Sequence, residues 1–91
     1  MKIVTVCGLG VGSSLILKMT VETALKKIRK KANVEHWDMG TIKGVKADII
    51  ITTTNFRKQF ADNENVIFIE NIVDANEVQK KLEEYLEKIG G

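Results

Sequence analysis

The sequence predicts a doubly wound α/β domain in three layers, built on a four-stranded parallel sheet of order 2-1-3-4. Short β-branched or apolar runs recur at Lys2 to Cys7, Val34 to Met39, Ala47 to Thr52 and Val66 to Ile69. Helix-forming stretches separate most of them, and strands alternating with helices imply parallel pairing, with both faces of the sheet covered. The centre of the third run, Ile49-Ile50-Ile51, does not alternate with polar residues, which marks a strand buried on both faces.

The first run ends abruptly in Gly8-Leu9-Gly10-Val11-Gly12, followed by Ser13-Ser14 and a long stretch of helix formers. This reads as strand, glycine loop, helix. At 100° per residue, Leu17, Val21, Ala24, Leu25, Ile28 and Ala32 fall on one face, which is the predicted core face of the first helix. Gly40 to Lys46 is a connection between the second and third strands. Phe56 and Phe60, four apart, suggest a short helix over Asn55 to Asp62, and Asp62 to Asn65 is turn-like. Asp74-Ala75-Asn76-Glu77 has the spacing of a capping box, and Ala75, Val78, Leu82, Tyr85, Leu86 and Ile89 form the apolar stripe of the last helix.

The chain has 91 residues, 44% of them hydrophobic, and a formal net charge of +2. A chain of this length buries about 60–65% of its unfolded surface, enough for one modest core and a single domain over residues 1–91. One Cys excludes an internal disulfide and a four-ligand zinc site built on Cys pairs. No apolar run approaches the ~20 residues of a membrane span, so no direct membrane insertion is expected. The opening Met1-Lys2-Ile3-Val4 lacks the pattern of an export signal, and the reading is cytoplasmic. There is no Pro to interrupt the segments.

In doubly wound sheets a ligand sits beyond the carboxyl ends of the strands, where the strand order reverses. Cys7 and the Thr52-Thr53-Thr54-Asn55 turn both fall there in the predicted order. Glycines at alternate positions let backbone N–H groups turn inward, and a helix N-terminus adds its free amides to the same concavity. Such a loop wants an anion. Either a phosphate or the Cys7 thiolate meets that demand, because amide dipoles and a helix start favour both. A nucleotide-hydrolysing loop is poorly supported, since no lysine follows the glycines before Lys18. The dinucleotide fingerprint fails because its third glycine, Gly12, comes one residue early. Cysteine phosphatases carry Arg at the sixth position after the nucleophile, where this chain has Ser13. Without that guanidinium a phosphoryl group on Cys7 lacks the bidentate clamp for rapid hydrolysis and is free to wait for transfer.

Val6-Cys7-Gly8-x-Gly10-x-Gly12-Ser13-Ser14, the following Lys18-Met19, and Ala47-Asp48-Ile49-Ile50-Ile51 together resemble the stand-alone IIB components of the bacterial sugar phosphotransferase system. The ascorbate-type branch looks nearest, with the galactitol and lactose/cellobiose branches next. The resemblance covers order and length over essentially the whole chain, a flavodoxin-like arrangement. It implies a relay in which Cys7 takes a phosphoryl group from a phosphohistidine on a IIA partner and passes it to a carbohydrate held by a membrane IIC transporter. The protein would then touch the membrane only through that transporter. The residues supply the roles: Cys7 as nucleophile, and Gly8, Leu9, Gly10, Val11, Gly12, Ser13 and Ser14 as the phosphate-binding cradle and helix cap. No metal and no cofactor is called for. A low-molecular-weight cysteine phosphatase-like enzyme and a passive phosphate-binding module are the alternatives, and simple backbone tightness remains a second reading of the glycines.

Leu15, Ile16 and Met19 lie almost opposite the core stripe of the first helix, which predicts an exposed apolar surface beside Cys7 for docking IIA and IIC. The other reading packs them under the Thr52 to Asn55 turn. His36 is expected at the surface of the second strand rather than at the site. Lys26, Lys27, Arg29, Lys30 and Lys31 complement the negative end of the first helix, and without interleaved aromatics they do not argue for nucleic acid.

Overall fold

A computed structural model describes residues 1–6, 13–37 and 46–88, with only the backbone described at Ser13 and Ser14. The element order is β1 (Lys2–Val6), α1 (Ser13–Lys27), β2 (Asn33–Trp37), β3 (Ile49–Thr53), a 3-10 turn (Thr54–Phe56), β4 (Val66–Ile69) and α2 (Ala75–Lys88). All strands are parallel, in the order β2-β1-β3-β4, as the sequence predicts. Ile3 pairs with both Val34 and Ile49, and at the far end Val6 pairs with both Trp37 and Thr52. β1 is therefore held on both sides along its length.

Strand alternation divides the core. Ile3, Val34, Ile49, Ile51, Ile67 and Ile69 face the helices, where Leu17, Val21, Ala24 and Leu25 of α1 meet Val78 and Leu82 of α2. Val4, Val6 and Ile50 face the other way and are covered by Phe60, with Trp37, Phe56 and Phe68 packed around them. The predicted helical stripes thus hold, with Ile28 and Ala32 half-buried at the margin of the cluster and Tyr85 and Leu86 likewise on α2. Ile89 lies outside the described residues.

The layers differ from simple helix-on-both-faces packing, because α1 and α2 share one face. Handedness accounts for the crossovers: β1 to β2 moves one way across the sheet and β3 to β4 moves the other, so α1 and the β3–β4 connection lie on opposite faces, while α2 follows the last strand and packs beside α1. The β3–β4 connection is short, and it is a 3-10 turn with further tight turns rather than the helix expected over Asn55 to Asp62. Its backbone bonds are mostly of the tight type, Arg57 N–H to Thr54 O and Asn63 N–H to Phe60 O. The Phe56–Phe60 spacing still works, through one bond from Phe60 N–H to Phe56 O that sets both rings against the sheet.

Both helices end on recognisable chemistry. After α1, Lys30 N–H reaches Leu25 O and Arg29 N–H reaches Lys26 O, the paired bonds of a Schellman ending. Arg29 takes the left-handed conformation this ending needs, at φ 56°. At the start of α2, Asp74 accepts from the N–H groups of Asn76 and Glu77 at 3.0 and 3.2 Å. The reciprocal half of the capping box is absent. Glu77 instead reaches to the Glu70 and Asn71 N–H groups at 2.7 and 3.0 Å.

Candidate functional site

Parallel pairing brings the carboxyl ends of all four strands to one edge of the sheet. The chain leaves β1 at Val6, next meets Cys7, and re-enters described structure as the first turn of α1 at Ser13. Cys7, Gly8, Leu9, Gly10, Val11 and Gly12 lie outside the described residues, as do the side chains of Ser13 and Ser14. What surrounds that crossing is well described. β1 and β3 are the two inner strands, and the change in strand order falls between them.

Thr52 fastens this point, because its Oγ1 donates to Val6 O at 2.8 Å inside the protein. The hydroxyl thereby holds the last described residue of β1 against β3. Thr53 is buried at 6% exposure, and its Oγ1 has no hydrogen-bond partner among the described residues. It sits at the N-cap of the 3-10 turn without capping it. An unmatched buried hydroxyl costs about 1–3 kcal/mol, so this one stands out in a sheet whose other threonine hydroxyls are bonded. Thr54 is half-buried and Asn55 exposed at the start of the turn.

On α1, Leu15 and Ile16 are each 44% exposed and Met19 60%. The exposure predicted from the helical wheel is observed, and the packed alternative under the Thr52 to Asn55 turn is not. Thr20 joins this helix to the β4–α2 turn: its one O–H lies within reach of two carbonyl acceptors, Ile72 O at 2.5 Å and Ile16 O at 3.0 Å. Val73, the next residue, is 66% exposed. Sequence reasoning passed over Val73, since a single apolar residue before a helix cap carries no periodic signal. It also left the Thr52 to Asn55 residues undivided, and only burial separates the roles of Thr52 and Thr53.

The electrostatics of the two helix starts differ. α1 has no acidic residue in its first turn. α2 has Glu77 there and Asp74 at its cap. Burial raises the Glu77 carboxyl, but the Glu70 N–H, the Lys81 side chain and the Asn71 N–H together outweigh it and hold its pKa below 4.5. Lys81 Nζ lies 2.9 Å from Glu77 and also donates to Phe68 O. His36 is exposed on β2, away from this edge's inner strands.

These features define a parallel α/β domain in which an inner strand, β1, leads towards a helix whose first turn has no acidic residue. The model of the family described as PTS system, lactose/cellobiose specific IIB subunit, matches residues 2–84, and the chain belongs to that family. It is a IIB component of a sugar phosphotransferase system, with the general phosphotransfer role and the IIA and IIC partners that such membership implies. A curated relative, the ascorbate-specific PTS system EIIB component of Mycoplasma pneumoniae, is 34% identical over 88 residues, covering 92% of this chain and 93% of the relative. The lactose-specific IIB component domain from Streptococcus pneumoniae has the same fold at a TM-score of 0.65 and 17% identity, over 96% of this chain and 95% of that one. A YwlE mutant from Bacillus subtilis shares the fold at a TM-score of 0.54 and 12% identity, over 100% of this chain and 99% of that one.

Proposed function

We propose that the protein is a phosphocysteine carrier for uptake of an ascorbate-like or galactitol-like carbohydrate. The observation that carries this reading is the position of Cys7 in the chain: it follows the end of an inner strand, β1, and precedes a helix start that has no carboxylate of its own in its first turn. The curated ascorbate-specific relative supports the ascorbate side of the substrate class. In the first step the Cys7 thiolate attacks the phosphohistidine of a IIA protein; an S–P bond forms, the N–P bond breaks, and the imidazole leaves with a proton taken up from solvent on the freed nitrogen. In the second, a hydroxyl of the carbohydrate on a membrane IIC attacks that phosphorus; an O–P bond forms, the hydroxyl proton goes to solvent, and the thiolate returns. The amides and hydroxyls from Gly8 to Ser14 hold the equatorial oxygens through both steps. Leu15, Ile16 and Met19 form the apolar face on which IIA and then IIC dock. The protein works in the cytoplasm and meets the membrane only through IIC; among its described residues no helix is long and apolar enough to cross a bilayer.

Intact mass after incubation with phosphoenolpyruvate, the general phosphotransferase proteins and a cognate IIA tests the reading. The native chain gains one phosphate, and Cys7→Ser gains none. No gain on folded native chain with reduced Cys7, across several IIA partners, moves the protein to a passive phosphate-binding module. Steady release of phosphate from an aryl phosphate identifies a phosphatase instead.

A further inference from the structure

The residue before the α2 cap shows an apolar side chain to solvent that the fold does not use. Val73 immediately precedes Asp74, and an apolar residue there ordinarily packs on the fourth helical position, which in α2 is Val78. Val78 is fully buried in the helix-facing cluster, whereas Val73 is exposed and joins neither apolar cluster. Its neighbour Ile72 packs against the helix-facing cluster instead. The turn itself is firmly held. Glu77 takes the Glu70 and Asn71 N–H groups, Asn71 takes the Val73 N–H through Oδ1 at 3.1 Å and the Asp74 N–H through its carbonyl, and Thr20 Oγ1 lies within reach of Ile72 O. All of these bonds hold backbone, and none uses the Val73 side chain. A β-branched side chain kept in water on a fixed turn loses little freedom on docking, which favours contact with a partner.

The same turn is joined to the exposed face of α1. Thr20 Oγ1 lies within hydrogen-bond distance of both Ile16 O and Ile72 O, so the residue after Ile72 comes beside Ile16. Leu15, Ile16, Met19 and Val73 thus form one apolar surface carried by two elements. From their exposed fractions the four present on the order of 400 Å², a size of patch that is often functional on monomers and about half of the ~800 Å² each partner gives to a stable complex. That area is too small for a lasting dimer of this chain and suits a partner that binds and leaves in each cycle. The exposed Glu70 and the half-buried Asp74 flank Val73. Their carboxylates repel the anionic headgroups around a membrane-held partner, so this end of the face fits a soluble one.

We propose that Val73 is a docking residue for the soluble phosphoryl donor, the IIA protein, and that the β4–α2 turn completes with Leu15, Ile16 and Met19 the face on which that protein seats. This rests on the carrier reading of the chain. Val73 takes no part in the chemistry; it adds apolar area that the complex removes from water.

The test compares the native chain, Val73→Ser and Val73→Leu against IIA proteins of the ascorbate, galactitol and lactose/cellobiose branches. Phosphate arrival is followed against the concentration of phosphorylated IIA, binding of unphosphorylated IIA by amide-shift titration of the labelled chain, and melting temperature on each variant. Val73→Ser is expected to melt near native, to bind IIA about fivefold more weakly and to need about fivefold more of it for half-maximal transfer, with the maximal rate unchanged. Val73→Leu keeps an apolar side chain and is expected to stay within about twofold of native. Unchanged binding and half-saturation in Val73→Ser, a loss confined to its maximal rate, or a marked fall in its melting temperature each overturns the proposal, the last by assigning Val73 to the fold. A defect confined to onward transfer to IIC in membrane vesicles, or self-association of the native chain that Val73→Ser abolishes, overturns it by giving the face to another occupant. The two claims fail separately. Phosphate arrival with half-saturation unchanged in Val73→Ser removes Val73 and keeps the carrier; IIA binding that Val73→Ser weakens, on a native chain that gains no phosphate, keeps Val73 and removes the carrier chemistry. No binding to any of the IIA proteins removes both.

Discussion

The two helices begin at the same edge of the sheet and under opposite conditions. α2 is closed by its own chain: Asp74 takes the Asn76 and Glu77 N–H groups, and Glu77 turns back to the Glu70 and Asn71 N–H groups. α1 has no first-turn carboxylate, and exposed apolar side chains follow its first residues. A helix start carries about half a positive charge wherever it occurs. At α2 the chain supplies the anion and the start is a structural joint; at α1 its first turn supplies none, and the proposed phosphocysteine would. Sequence distance is small between a cap and a site, and the difference is made by which carboxylates fall within one turn.

The largest expected effect comes from the open helix. Ile16→Asp places a carboxylate early in α1 and interrupts the apolar face, and it is expected to slow phosphoryl exchange with IIA by about tenfold or more. Its melting temperature should stay near native, since exposed substitutions usually cost within about 0.5 kcal/mol and an acidic group early in a helix is favoured. Unfolding, or an unchanged exchange rate, would remove the docking role of this face.

The closed helix gives a smaller effect of the opposite kind. Asp74→Ala removes the cap, with an expected loss of about 1 kcal/mol and a fall in melting temperature of about 4–8 °C. Phosphoryl transfer by the folded fraction should be unchanged. A transfer defect larger than the stability loss would mean that the two starts are not separate in function.

The smallest effect is in acid. Because the folded Glu77 pKa is below 4.5, its contribution to stability is present above the unfolded value and is lost as pH falls through the folded one. Urea midpoints measured from neutral pH downward should therefore fall more steeply for the native chain than for Glu77→Gln in that acid range. Parallel curves would show that the Glu77 bonds hold the β4–α2 turn without net gain over water.

Much of this was readable from residues. The four strand runs, the core stripe of α1 and the exposure of Leu15, Ile16 and Met19 follow from periodicity, because burial against a sheet leaves a regular trace. Asp74 was readable as a cap for the same local reason. Glu77 was not readable as the brace of Glu70 and Asn71, because that contact depends on how β4 meets α2 in space. The Asn55 to Asp62 segment misled because two aromatic residues four apart mark a shared face without fixing the backbone between them. The difference between Thr52 and Thr53 had no sequence signal at all: two identical side chains point to opposite faces of one strand.

The double pairing of β1 also sets the order in which a growing chain can complete the centre of its sheet. Its partners are far apart in sequence, with Ile3 against Val34 on one side and against Ile49 on the other. Both pairings close long loops, which makes them late and cooperative events. A nascent polypeptide that has emerged only as far as β2 has no β3 to place beside the strand leading to Cys7, and no Thr52 to fasten its end. The end of β1 is therefore fastened only after β3 has joined it, so that the strand leading to Cys7 precedes in sequence, by more than forty residues, the threonine that holds it.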